Sequence, residues 1–85
     1  MNFTPGIYRH FKGGLYYAEC VATHVDNLGV EVVVYRDAVG HTWLRDLKEF
    51  MEEIERDGKK MPRFELIKVV HDHRMSVQQM FEAKG

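Results

Sequence analysis

Polar and apolar side chains alternate along the first half of the chain, and glycine cuts the alternation at short intervals. In Gly6-Ile7-Tyr8-Arg9-His10-Phe11-Lys12-Gly13-Gly14, an extended backbone turns Ile7, Arg9 and Phe11 one way and Tyr8, His10 and Lys12 the other, because successive strand side chains point to opposite faces. Pro5-Gly6 before the segment and Gly13-Gly14 after it are turn punctuation, so the pattern predicts a short strand with the solvated charges of a sheet edge. Over 15–24, Tyr16, Ala18, Cys20 and Ala22 alternate with Tyr17, Glu19, Val21 and Thr23. The small residues of the first set let another layer approach, and that face, Cys20 included, is assigned to the core. Asp26-Asn27-Leu28-Gly29 supplies a turn. Residues 30–36 are the most β-prone run, and 41–45 follow as a further short strand. Several short strands at close spacing predict an antiparallel meander, and the open edges of so small a sheet predict that it curls into an SH3-like barrel.

The period changes at 46–57. Leu47, Phe50, Met51 and Ile54 fall at i, i+3, i+4 and i+7, the stripe of an amphipathic helix, with Asp46 as cap and Gly58 as stop. Asp57-Gly58 between extended arms is equally a hairpin signal, and a helix ending near Glu53 followed by that hairpin satisfies both. Pro62 favours an extended entry into a closing strand over 63–70. His71-Asp72-His73-Arg74 is then a polar break. Ser76 with Gln79 forms a capping box, and Met75 with Met80 a hydrophobic staple, for a C-terminal helix. The expected fold is mainly β (α+β): a small SH3-like antiparallel barrel over 1–70 with one short internal helix, and a helical extension over 71–85.

Composition narrows the function classes. The single cysteine cannot close an intramolecular disulfide, which fits a reducing compartment. The opening residues lack a basic segment followed by an apolar one, and no run approaches a membrane span. A soluble, cytoplasmic chain with no membrane partner is the expectation. Net charge of −1 gives no global pull toward nucleic acid, so any such binding has to come from a local patch.

Taken together, Gly6, the string Tyr8-Arg9-His10-Phe11-Lys12-Gly13, Tyr16, His24, Val34-Tyr35-Arg36, Gly40, Trp43, Arg45, Phe50, Gly58 and Pro62-Arg63-Phe64 make the chain resemble the bacterial domain-of-unknown-function family 1653. The opening string is the specific part. Val25-Asp26-Asn27 departs from the family's usual turn after the histidine, and Asp46-Leu47 stands where a proline is usual. The resemblance implies a compact, mainly β domain and names no substrate.

Three constellations carry chemistry. Tyr8, Arg9, His10, Lys12, Arg36, Trp43, Arg45 and Arg63 combine aromatic and cationic groups, and arginine forks hold carboxylate or phosphate while exposed rings stack on bases. This set reads as the ligand face of a binding module for an anionic small molecule or a protein partner, with single-stranded RNA or DNA as the alternative. His71 and His73, with His24, His10 or His41, offer two-ligand metal geometry, but two ligands are not a site, and no metal or cofactor is expected. For catalysis, His10 or His24 would serve as acid or base; Cys20, placed in the core, lacks the exposure a nucleophile needs. Met75, Met80 and Phe81 are an alternative homodimer surface.

Overall fold

The turns expected at Gly13-Gly14 and Asp57-Gly58 form, whereas the one expected over 26–29 falls at Val25-Asp26, so that Asn27, Leu28 and Gly29 open a strand; five of the strands assemble into one open sheet. The computed structural model describes residues 3–70. In chain order these form β1 Gly6–His10, β2 Leu15–His24, β3 Asn27–Asp37, β4 Thr42–Asp46, α1 Leu47–Phe50, β5 Glu53–Arg56, β6 Lys59–Pro62 and β7 Phe64–Val69. Five strands pair in the order β4-β3-β2-β1-β7, and β5 and β6 make a separate hairpin. Every pairing is antiparallel.

The expected SH3-like barrel does not close. Closure requires hydrogen bonds between the outer strands β4 and β7, and α1 stands in that space instead. Leu47 and Phe50 are buried there with Tyr8, Ala18, Val33, Tyr35 and Phe64. Phe50 lies flat on Phe64, ring centroids 4.1 Å apart, and meets Tyr8 edge-on at 5.1 Å. Side chains rather than backbone pairing therefore seal the open side of the sheet.

The first strand also differs from expectation: β1 is interior, between β2 and β7, and both of its faces are covered. Tyr8 belongs to the main core, while Ile7 packs on the reverse face with Tyr17 and Val70. Gly6 is required there, because a Cβ would run into the Lys68 carbonyl oxygen and lie 2.9 Å from Leu66 Cδ1.

Cys20 is exposed, against the core assignment. A register shift between Ala18 and Cys20 inserts an extra residue into β2, so that Val21 rather than Cys20 follows Ala18 onto the core face, opposite Val33. A strict period of two cannot register such an insertion.

The ambiguity at 46–57 resolves as one helical turn followed by the hairpin. Asp46 makes no side-chain cap, and the helix stops at Phe50. Asp57 and Gly58 take positive φ values of 54° and 77°, the conformation a two-residue hairpin turn demands. Ile54 then pairs with Met61 as a strand residue. The predicted C-terminal helix, the His71-Asp72-His73 pair and the surface formed by Met75, Met80 and Phe81 lie outside the described residues. Among the described residues no helix is long and apolar enough to cross a membrane.

Truncation of Phe50 removes the plug between the outer strands. Phe50→Ala is expected to lower unfolding free energy by about 3–5 kcal/mol, whereas Leu44→Ala, at an exposed position, should change it by less than about 0.5 kcal/mol. Chemical denaturation of the two variants checks the contrast.

Candidate functional site

Strand register decides which of the sequence-predicted site residues share a face. Tyr8 pairs with Tyr16, His10 with Phe64, Tyr35 with Trp43 and Val33 with Arg45, so these side chains lie on the face that carries the main core. Arg36 pairs with Tyr17 and Arg9 with Leu15, which puts both on the reverse face. Arg36 there meets Glu19 at 3.4 Å. Tyr8 is a core residue whose hydroxyl donates to the Thr4 carbonyl at 2.6 Å, and burial raises its pKa. Of the eight predicted residues, His10, Arg45 and Arg63 converge, with Lys12 at their margin, and Trp43 lies on the same face two residues from Arg45 along β4.

Phe64 is the floor of this cluster. The His10 ring meets it edge-on at 4.9 Å, and the Arg45 guanidinium lies 5.9 Å from its centroid. Tyr35 and Tyr16 extend the floor, each edge-on to Phe64 at 5.6 and 5.9 Å. Arg63 is fixed at the start of β7 by its own backbone, whose amide donates to the Glu52 carbonyl and whose carbonyl accepts from Phe11. Its guanidinium pairs with the Glu52 carboxylate. Arg45 is held more loosely, 3.9 Å from Glu49 in an exposed pair of the kind worth little. The Nε atoms of Arg45 and Arg63 are buried and have no hydrogen-bond partner among the described residues, so their donors are the terminal nitrogens, one of which Arg63 gives to Glu52.

Among these cations the neutral form of His10 is favoured. Burial lowers its pKa first, and the positive charges of Arg45, Arg63 and Lys12 lower it further. Its Nδ1 accepts the Lys12 backbone amide at 3.2 Å, which assigns the proton to Nε2. The same turn is closed by His10 donating to the Gly14 carbonyl and Gly13 donating to that of His10, with Gly13 at φ 107°.

Trp43 is half-exposed and held from one side. Its Nε1 donates to Asp37 Oδ2 at 3.0 Å, and Asp37 Oδ1 accepts the amides of Val39 and His41. The indole hydrogen bond, ahead of the His41 and Val39 contributions, holds the Asp37 carboxyl below its ordinary range. Asp37 thus ties the β3–β4 turn to the ring, which also meets the His41 ring at a steep angle, centroids 6.0 Å apart. A groove of about 360 Å³ beside Arg45 is lined by Val32, Leu44, Asp46 and Glu49; its carboxylates suit no anion.

The remaining constellations do not assemble. His24 ends β2 at an exposed position, where its Nδ1 accepts the Asp26 amide at 3.1 Å. That bond orients the ring without coupling it to a carboxylate. The Cys20 thiol has its pKa raised by partial burial and by Glu19, opposite to what a nucleophile needs. Among the described residues no three His, Cys, Asp or Glu side chains gather as a metal site. Sequence reasoning missed Phe64, Tyr16 and Asp37 as parts of the cluster. The Asp37-to-His41 turn spacing is the one local signal that could have found Asp37; Phe64 becomes visible only through cross-strand register.

The sequence profile of a family described as protein of unknown function (DUF1653) matches residues 6–66. A crystal structure of a protein belonging to DUF1653 from Bordetella bronchiseptica is similar to this fold, with a TM-score of 0.72 and 29% identity over 85% of this chain and 96% of that one. Comparison with curated proteins finds no match.

The electrostatics of His10 give a direct check. A lowered folded-state pKa contributes stability that is complete above the unfolded value and declines as pH falls through the folded one. By proton NMR, His10 is expected to titrate below the ordinary 6.5. In Arg45→Gln its pKa should move part of the way up, since burial is the larger cause, and an unshifted value would remove Arg45 from the cluster's electrostatics.

Proposed function

The chain belongs to the DUF1653 family of unknown function, and we propose that it is a binding module that takes an anionic ligand on the face formed by His10, Trp43, Arg45 and Arg63. One observation carries this reading: the Arg45 guanidinium and the His10 ring meet the same Phe64 ring, at 5.9 and 4.9 Å, with Arg63 anchored at the adjoining position, so that cationic donors gather over one aromatic floor that suits a bound negative charge. Arg45 is the readiest donor, because its exposed pair with Glu49 is long. Arg63, anchored at backbone and side chain, supplies a fixed second charge. The half-exposed Trp43 indole offers a flat apolar surface beside them, which selects for a ligand with a planar group next to its charge.

Binding on this face is proton-linked. An anion beside His10 favours the imidazolium, so affinity should rise as pH falls through the pKa of His10 and should lose that dependence in His10→Gln. Titration of inorganic phosphate and of a mononucleotide against Trp43 fluorescence reads both effects. Arg45→Ala should weaken mononucleotide binding about tenfold, the consequence of losing one charge-assisted hydrogen bond. Arg36→Ala, on the reverse face, should leave it unchanged. Equal losses in the two arginine variants would refute the assignment of the face.

A further inference from the structure

We propose that the ligand is a single strand of nucleic acid whose backbone continues past His10 onto a second cationic site formed by Lys12, Arg56 and Lys59. This rests on the anion-binding reading above and extends it to a ligand class.

The second site begins at Phe11. Its ring is contacted by two cations, Lys12 Nζ and the Arg56 guanidinium, each 5.7 Å from the centroid. Arg56 is also directly opposite Lys59 in the β5–β6 ladder, and like charges in that relation destabilise a hairpin. None of the three makes an ion pair among the described residues. The hairpin sorts its charges by face: alternation puts Arg56 and Lys59 with the half-buried Ile54 and Met61, and puts Glu53, Glu55 and Lys60 on the other side. Unpaired cations on the inward face of a hairpin whose carboxylates face outward are an unrelieved repulsion that an external anion removes.

The two cationic sites are joined by consecutive contacts. Arg45 lies over Phe64, Phe64 meets His10 at 4.9 Å, His10 meets Phe11 at 4.5 Å, and Phe11 meets Lys12 and Arg56. One phosphate or carboxylate occupies one site. A chain of phosphates occupies both, and flat bases along it meet Phe11 between the sites and Trp43 on the same face as Arg45. Interleaved rings and cations are the means by which a single strand is held without sequence preference. An acidic peptide satisfies the charges and leaves the rings unused.

The test titrates oligouridylates of increasing length, from the dinucleotide upward, into the full chain at several salt concentrations, with poly-glutamate and inorganic phosphate alongside. Affinity and salt dependence should rise with length. Arg56→Gln/Lys59→Gln should remove the length-dependent gain, lower the salt slope by about 0.7 per lost contact, and leave dinucleotide binding intact; circular dichroism confirms that the hairpin variant folds. Wild-type affinity and slope in that variant would overturn the proposal, as would oligomers that bind no more tightly than the dinucleotide. Poly-glutamate or phosphate binding without oligouridylate binding would also overturn it and leave the anion-binding reading standing. Absence of binding by every probe would remove both.

Discussion

The stack of Phe50 on Phe64 is the contact on which the rest of this domain depends. Phe50 ends the single turn of helix after β4, and Phe64 begins β7 at the opposite edge of the sheet. Their contact spans the gap that a closed barrel would bridge with backbone hydrogen bonds. Tyr8 and Tyr35 abut the pair edge-on, so the core is an aromatic cluster with the offset and perpendicular geometries that ring quadrupoles favour. A chain of this length has a thin core, and large flat side chains fill it with few residues.

The same stack positions the cluster proposed to bind. Phe64 presents one ring to Phe50 and the Tyr8 side of the core while supporting His10 and Arg45. The neighbouring residue Arg63 is set by backbone bonds to Glu52 and Phe11, which tie the segments that follow α1 and β1 to the residue before β7. Core and cluster therefore share a wall. A group that stabilises the fold also fixes the spacing of the cations, and the repulsion among them is carried by packing rather than by solvent. The lowered pKa of His10 follows first from its burial and then from the charges of Arg45, Arg63 and Lys12.

Local chemistry made much of this legible. Gly13-Gly14 marked the turn between β1 and β2, the Asp57-Gly58 signal marked the hairpin, and the alternating run after Pro62 marked β7, whereas Asn27 and Gly29, read as turn residues, belong to β3. The residues that went astray did so for reasons outside a local window. Cys20 is exposed because one extra residue in β2 inverts the alternation, and β-bulges leave no local pattern here. The stripe at Leu47, Phe50, Met51 and Ile54 is genuine at its start, where Leu47 and Phe50 are buried, yet the hairpin takes Ile54 as a strand residue. Closure was expected from the cost of open edges, and the structure meets that cost with a helical turn. For the cluster, residue types were visible and faces were not: Arg9 and Arg36 are as cationic as Arg45, and only register separates them. Phe64, at the centre of the site, reads in sequence as an ordinary strand residue.

The most direct test of the account is nitrogen-15 NMR of the arginine Nε and tryptophan Nε1 groups during titration with a mononucleotide. The account predicts that the Trp43, Arg45 and Arg63 signals move together and saturate, while those of Arg9 and Arg36 stay in place. Saturating shifts confined to Arg9 and Arg36, or no shift at any of the five, would contradict it.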